Sequence, residues 1–317
     1  MIKSAHVVSG CCGFIGFNFT LFLLKKKQVV YGFDNFQFPT QNRVRYLKKF
    51  KNFNFKKLDL SKKNRLDKLF NNKDYKYYFW HLAANSDIRL SSRYKKIDYR
   101  NTFLTTKNFF ELSKKINAKF FFFASSSAVY GDKNESLLEI NKSLKPISNY
   151  GVMKLKSEKI IMSKTIGLNK VIFRFPNVIG KFLTHGVIFD FKKKIKNSNQ
   201  LFVLGDGSQS KPYIRVNKLV NLIYATKKMR TKNKTQIYNI GPHNDGTPVK
   251  FIVDQFVKKY KRIINVFYEK KKVGWPGDIN KVRFNSKKMQ KSFKVKKLVS
   301  NNEIINFFKY DFNKDSI

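Results

Sequence analysis

The sequence predicts an α/β fold: a doubly wound parallel sheet followed by a smaller, mixed α/β C-terminal domain. Three observations predict it. Short apolar runs alternate with helical stretches as far as Phe175. The turn Gly10-Cys11-Cys12-Gly13-Phe14-Ile15-Gly16 joins the first run to the first helical stretch. An acid, Asp34, closes the second run. With 317 residues, 42% of them hydrophobic, the chain is long and apolar enough for one large domain and a smaller one.

The elements follow in order. Ala5–Ser9 reads as a buried strand, and a helix is expected from Phe14 to Lys26. Val29–Phe33 is a second strand ending at Asp34, and Asn54–Leu58 a third ending at Asp59. Tyr78–Leu82 is a fourth, followed by the small residues Ala83 and Ala84. A helix over Asn101–Lys115 leads to a fifth strand, Phe120–Ala124. Tyr150 opens a helix that is expected to reach Lys164, and Lys170–Phe175 is a sixth strand. Strands joined by right-handed helical crossovers leave a ligand crevice at their C-terminal ends. Beyond Pro176 the alternation loosens, and Gly205-Asp206-Gly207 and Gly274-Trp275-Pro276-Gly277 mark loops. A helix and then a strand at Gln236–Ile240 are expected to return to the sheet. The expected division is 1–176, with 213–243 returning to it, for a dinucleotide, and 177–212 with 244–317 for the substrate.

Lys and Arg number 66 against 20 Asp and Glu, a formal net charge of +46. A polyanion partner such as nucleic acid or an acidic membrane surface is one reading of that charge. The basic residues are spread along the chain, however, and Lys, Asn, Phe and Ile, all with A/T-rich codons, are plentiful. The charge therefore reads as compositional drift, with charge-assisted binding of an anionic substrate superimposed. No specific nucleic-acid partner is expected. Two adjacent cysteines, Cys11 and Cys12, make neither a disulfide framework nor a zinc site and suit a reducing cytosol. The N-terminal run lacks a signal-peptide core, and no apolar run approaches the roughly 18 residues of a membrane span. A cytoplasmic protein without a transmembrane segment is expected.

The glycine turn carries the cofactor reading. Glycines serve where the backbone turns tightly and where it must approach a pyrophosphate. The helix N-terminus then offers free N–H groups and positive partial charge to phosphate. The spacing is Gly-x-x-Gly-x-x-Gly, and its place between first strand and first helix points to a Rossmann-type dinucleotide site. Asp34 stands where an acid accepts from the adenosine ribose hydroxyls, and it would repel a 2′-phosphate, so NAD is favoured over NADP. Asp59 and Leu60 either flank the adenine or form a strand-ending turn. Cys11 and Cys12 are read as small fillers of the loop.

Tyr150 and Lys154 carry the chemistry. Residues four apart share a helix face, so an ammonium can sit beside a phenol. A free phenol titrates near ~10, and a neighbouring cation lowers that value. Ser125-Ser126-Ser127 precedes the pair.

Together with His81-Leu82-Ala83-Ala84, Ser125–Gly131, Arg174-Phe175-Pro176-Asn177, Gly205-Asp206-Gly207 and Gly274–Asp278, these runs resemble the extended short-chain dehydrogenase/reductases. The resemblance is to their nucleotide-sugar epimerase/dehydratase family, UDP-glucose 4-epimerase-like members above all, and covers nearly the whole chain. It implies bound NAD, a nucleotide-diphosphate sugar (UDP favoured) as substrate, and a role in nucleotide-sugar metabolism and polysaccharide biosynthesis. Tyr150 would be the general base at the sugar 4-hydroxyl. Lys154 would lower its pKa and hold the nicotinamide ribose. Ser126 would bond the reacting oxygen and help pass the proton. Hydride would leave C4 to give a 4-keto sugar and return to its other face. The resemblance further places Gly10, Gly13, Phe14, Ile15, Gly16, Leu82, Ala83, Ala84 and Asn101 at the cofactor. It places Asn177, Lys211, Asp278 and Arg283 at the nucleotide sugar, with Arg283 alternatively solvent-exposed. Thr184, His185, Gly186 and Val187 would form a substrate loop, with His185 equally readable as a surface histidine. It also implies a homodimer that pairs the helices containing Asn101–Lys115 and Tyr150–Lys164.

Departures from the family pattern refine this. Lys211 replaces the usual arginine and loses its bidentate fork. Asn217 stands where relatives often carry Asp. Ser127 and Ala128 leave the serine turn without the acid of the dehydratase and decarboxylase branches, which favours simple epimerisation. Val282 would lie near a position that gates the sugar 2-substituent. A 4,6-dehydratase, decarboxylase or 4-reductase is the alternative within the family. An idle NAD-bound protein that binds RNA or membranes through its charge is the alternative outside it, opposed by the intact Ser126, Tyr150 and Lys154.

Overall fold

The run Phe120-Phe121-Phe122-Phe123 shows how this chain builds its centre. Successive side chains of a strand point to opposite faces, so an unbroken apolar run serves a sheet covered on both sides. Phe120 and Phe122 enter one core with Val8, Trp80 and Phe173; Phe121 and Phe123 enter a second with Val7, Phe79 and Phe109. Trp80 and Phe122 stack across neighbouring strands with ring centroids 3.8 Å apart.

The computed structural model describes residues 3–313 except 39, 64–65, 71, 86–93, 134, 142, 164–166, 230–234, 261–262, 273 and 275–277. Its strands are β1 (Lys3–Ser9), β2 (Val29–Asp34), β3 (Phe53–Lys57), β4 (Tyr75–His81), β5 (Phe120–Ser126) and β6 (Asn169–Phe175). Short strands follow: β7 (Asn177–Ile179), β8 (Gln200–Val203), β9 (Ser210–Lys211), β10 (Tyr213–Arg215), β11 (Thr235–Asn239), β12 (Thr247–Pro248) and β13 (Asn265–Tyr268). Seven of them form one parallel sheet in the order β11-β6-β5-β4-β1-β2-β3. The fold is therefore α/β and doubly wound. β1 sits between β2 and β4, so the strand order reverses there and opens a crevice at the C-terminal strand ends.

The remaining short strands pair β7 with β10, β8 with β13 and β9 with β12. They accompany a third core, which includes Ile188, Phe191, Phe256 and Phe308 from the helices Val187–Asn197, Val249–Tyr260 and Ser300–Tyr310.

Two helices matter most for the site. Phe14–Lys25 begins at the glycine turn, with Gly13 as its N-cap and no side chain capping it. Asn149–Met162 begins where the Ser148 hydroxyl accepts the Gly151 N–H at 3.1 Å. Lys164, the expected end of that helix, lies outside the described residues. The expected helix over Asn101–Lys115 is present but begins earlier and is not regular: α geometry at Lys95–Asp98 gives way to a π-helical turn at Tyr99–Leu104 and resumes at Thr105. The Thr105 hydroxyl bonds the Asn101 carbonyl at 2.9 Å and Thr106 that of Thr102 at 2.6 Å. Such side-chain bonds compete with the regular backbone ladder. Among the described residues no helix is long and apolar enough to cross a membrane.

Candidate active site

A cavity of about 780 Å³ opens at the sheet's crevice. Its wall includes Gly10, Gly13, Phe14, Ile15, Gly16, Asp34, Leu60, Leu82, Ala83, Ala84 and Asn101. It also includes Ser126, Tyr150, Lys154, Asn177, Thr184, His185, Gly186, Val187, Lys211 and Asp278. The structure thus brings together the residues expected at the cofactor and the nucleotide sugar, Asp59 and Arg283 excepted.

The glycine turn is held by contacts that admit no side chain. A Cβ on Gly16 would lie 1.8 Å from the Gly10 carbonyl oxygen. Gly10 has φ +69°, and a Cβ there would meet the Ala83 backbone at 2.8 Å. Asp34 leans onto this turn: its carboxylate accepts the Cys12 N–H and the Phe36 N–H, each at 2.9 Å. Burial pushes its pKa up, against those bonds and nearby Arg43. Arg43 donates to the carbonyls of Cys12 (3.0 Å) and Phe182 (2.9 Å) and so ties the turn to the loop beyond β7. Cys11 and Cys12 are fully buried inside the turn, and burial raises the Cys11 thiol.

The far wall is fixed by a buried histidine. His81 Nδ1 lies 2.6 Å from the Ser9 hydroxyl and Nε2 lies 2.8 Å from that of Thr106. Ser9 Oγ in turn accepts the N–H groups of Leu82 and Ala83. Burial, then the charge of Lys154, pushes His81 well below its ordinary value, so it is a neutral spacer. On the adenosine-facing side expected from the sequence, Asn101 donates to Gln37 at 2.9 Å. Asp59 pairs with Arg100 at 2.5 Å and accepts the Ser61 N–H and hydroxyl. Its carboxylate thus closes a turn, and of Asp59 and Leu60 only Leu60 reaches the cavity.

Tyr150 lies in the first turn of its helix, hydrogen-bonded to the Ser126 side chain at the end of β5. Burial, and then the charge of Asp98, raise its pKa above that of a free phenol; the Ser126 bond acts the other way. Lys154 is 2% exposed. Its Nζ donates to the Ala124 carbonyl at 2.6 Å and sits 4.8 Å over the Phe123 ring and 5.6 Å from the centre of the Tyr150 ring. Burial lowers its pKa to about 7, while Asp98 and Glu158 raise it. The expected lowering of the phenol by Lys154 is not seen in this geometry: burial dominates, and Lys154, whose ammonium turns to the Ala124 carbonyl, is not among the groups that shift Tyr150.

On the substrate side, Lys211 and Asp278 form a close ion pair in the cavity wall. Asn177 opens β7 and bonds the Tyr213 side chain. Gly186 is the N-cap of the helix that begins at Val187. Arg283 is exposed and outside the wall, because the alternation that buries Val282 and Phe284 turns it outward. Val282 packs with Tyr130, Leu137 and Phe284, so the expected gate is corrected to a core position. Asn217, the second residue of the helix Val216–Ala225, accepts the Lys218 N–H. Trp275, Pro276 and Gly277 lie outside the described residues.

The profile of the NAD dependent epimerase/dehydratase family matches residues 6–241. The chain belongs to that family. A UDP-glucuronate 4-epimerase of Thermodesulfobacterium geofontis is 27% identical over 293 residues, covering 88% of each chain. An uncharacterized UDP-glucose epimerase of Bacillus subtilis, YtcB, is 33% identical over 69% of this chain and 71% of its own. Among solved structures, the UDP-glucuronic acid 4-epimerase of Bacillus cereus, in complex with UDP-glucuronic acid and NAD, superposes with TM-score 0.84. It is 24% identical and the match covers 96% and 98% of the two chains. A UDP-N-acetylglucosamine 4-epimerase of Methanobrevibacter ruminantium gives 0.83 at 24% identity, covering 98% and 99%.

The family's motifs left three features of this site unannounced. Arg43 and Asp98 come from segments without a motif. Glu158 had a signal: it lies one helical turn beyond Lys154. Its carboxylate takes Arg174 at 3.0 and 2.7 Å and Ser125 at 2.5 Å. Arg174 also donates to the Tyr130 hydroxyl at 2.9 Å. Ser125 thus anchors the strand end, and Ser126 alone of that dipeptide bonds Tyr150.

Proposed function

We propose that this chain is an NAD-dependent nucleotide-sugar 4-epimerase acting on a UDP-hexose or its uronic acid or N-acetyl form. The observation that carries the reading is the contact of Tyr150 with Ser126 beside Lys154, in one cavity with the glycine turn and Asp34. The residues fit NAD: the backbone packs too closely for a Cβ at Gly10 and Gly16, which sets the tight turn at the helix N-terminus where a pyrophosphate would approach, and Asp34 closes β2 where a ribose diol would be read. Gly10, Gly13, Phe14, Ile15 and Gly16 would hold the pyrophosphate, and Leu82, Ala83 and Ala84 the ring system. Bound NAD supplies reversible two-electron oxidation at the sugar carbon.

The chain's own residues supply positioning and proton transfer. Ser126 holds the 4-oxygen and the Tyr150 phenol in one hydrogen-bonded line. Tyr150 removes the hydroxyl proton as the carbon is oxidised and gives it back as the carbon is reduced. Lys154, beside the Tyr150 ring, is the cation that would face the phenolate as it forms. Asn177, Val187, Lys211 and Asp278 hold the nucleotide diphosphate and the sugar, and Lys211 exchanges its bond to Asp278 for the diphosphate. The absence of an acid at Ser127 and Ala128 supports epimerisation over elimination.

The same reading assigns 1–176 with 213–243 to the cofactor and 177–212 with 244–317 to the sugar nucleotide. It takes the protein as a cytoplasmic homodimer in polysaccharide biosynthesis. The test is incubation of purified protein and NAD with UDP-glucose, UDP-N-acetylglucosamine and UDP-glucuronate, with products separated by chromatography. The expected product is the 4-epimer of at least one. Conversion of none, by a protein that retains NAD, overturns the reading.

A further inference from the structure

Asp98 is fully buried at the end of the Lys95–Asp98 helix, just before the π-helical turn. Such turns interrupt helices at functional sites more often than chance. One carboxylate oxygen accepts from Asn85 Nδ2 at 2.8 Å and the other from Asn149 Nδ2 at 3.1 Å. Asn85 continues the wall formed by Leu82–Ala84 and lines the cavity itself. Asn149 is the residue before Tyr150. The carboxylate therefore joins the cofactor wall to the start of the catalytic helix.

Its charge also faces the pair. Two carboxylates act on Lys154: Asp98 and, one helical turn on, Glu158. Glu158 is neutralised by Arg174 of β6 at 2.7 Å. The hydrogen-bond partners of Asp98 among the described residues are two neutral amides. Among the described residues the other groups facing the pair are His81 of β4, held neutral, and the uncharged Ser126 of β5. Among them Asp98 supplies the charge without a cationic hydrogen-bond partner. It favours the ammonium of Lys154 and opposes the phenolate of Tyr150.

We propose that Asp98 is a positioning residue of the reaction centre, which ties the Tyr150 helix to the cofactor wall and sets a fixed negative charge against the Tyr150–Lys154 pair. The inference rests on the epimerase reading for its bearing on turnover, while its electrostatic part can be tested without any sugar. In ε-13C-lysine NMR the Lys154 signal, assigned by its loss in Lys154→Met, is expected to titrate near 7 in the otherwise unaltered protein. Asp98→Asn is expected to move that midpoint about one pH unit to acid. Asp98→Ser, which is smaller, gives the same shift where the amide cannot be accommodated. Asn149→Ala removes a hydrogen bond but keeps the charge, so it leaves the midpoint in place and lowers kcat. With a UDP-sugar, the whole pH–rate profile of Asp98→Asn moves to acid. An unmoved Lys154 midpoint in the folded Asp98 variants, or an equal shift in Asn149→Ala, overturns the proposal. Absence of turnover by the unaltered protein alongside a shifted midpoint overturns the epimerase reading alone.

Discussion

The Lys154 ammonium lies against the rings of Phe123 and Tyr150, and its hydrogen-bond partner among the described residues is the Ala124 carbonyl. Burial of a charge costs stability unless partners replace the water. For Lys154 the cost outweighs the help of Asp98 and Glu158, and its folded value falls to about 7 from 10.5. The sign of the linkage follows. Between those two values the unfolded chain binds the proton and the folded chain does not, so stability rises with pH across that window. Below about 7 both forms are protonated and the full penalty is present. Lys154→Met removes the penalty. The variant is therefore expected to exceed the unaltered protein in Tm by most near pH 6, by less at pH 9 and by almost nothing as pH approaches the ordinary lysine value. Calorimetry at three pH values measures this, and a Tm difference independent of pH sinks it. The same variant has lost the cation at Tyr150 and is expected to turn over substrate about 10²–10⁴-fold more slowly.

At this scale legibility divides by sequence distance. Tyr150 and Lys154 share one helix face, so their proximity is written in a local spacing. The bond to Ser126 was legible only through a motif. Asp98 meets Asn149 across 51 positions and Asn85 across 13, in a stretch interrupted by a π turn, and no local periodicity encodes either contact. The direction of the Tyr150 shift was also beyond the sequence. It depends on how much solvent reaches the phenol and on where the Lys154 ammonium points.

Among elements, the Asn149–Met162 helix is registered on the sheet by one buried ion pair. Glu158 and Arg174 are 0% and 2% exposed in their side chains, and the pair draws in Ser125 of β5 and Tyr130 of the following turn. Removing one partner from such a pair leaves an uncompensated buried charge. Glu158→Gln is expected to destabilise the protein by about 3–5 kcal/mol, seen as a lower urea midpoint with an unchanged slope. Glu158→Met with Arg174→Met is expected to recover most of that loss, since a well-packed apolar pair of similar volume replaces both charges. A double variant less stable than Glu158→Gln refutes the account. Most element positions followed from apolar runs and glycines. The break at Tyr99–Leu104 did not, because it arises from Thr105 and Thr106 hydroxyls bonding to their own helix.

Over the whole molecule, 66 basic residues face 20 acidic ones, so even complete pairing leaves +46 uncompensated. Several acids serve inside the fold: Asp98 and Glu303 are almost fully buried, and Glu158 is committed to Arg174. Lys154, Lys170 and Arg174 are buried as well, so the surface keeps essentially the whole excess, and self-repulsion destabilises a compact state. Screening relieves it over a Debye length of about 10 Å at 0.1 M salt and about 3 Å at 1 M. The Tm is accordingly expected to climb steeply over the lowest salt concentrations and to level off as the Debye length falls below the spacing of neighbouring lysines. Sodium and potassium chloride should act alike, because screening depends on ionic strength and not on which cation is present. Scanning calorimetry across a salt series in both chlorides reads this directly. A flat or falling Tm would show that net self-repulsion does not limit stability, since screening weakens repulsion and attraction alike.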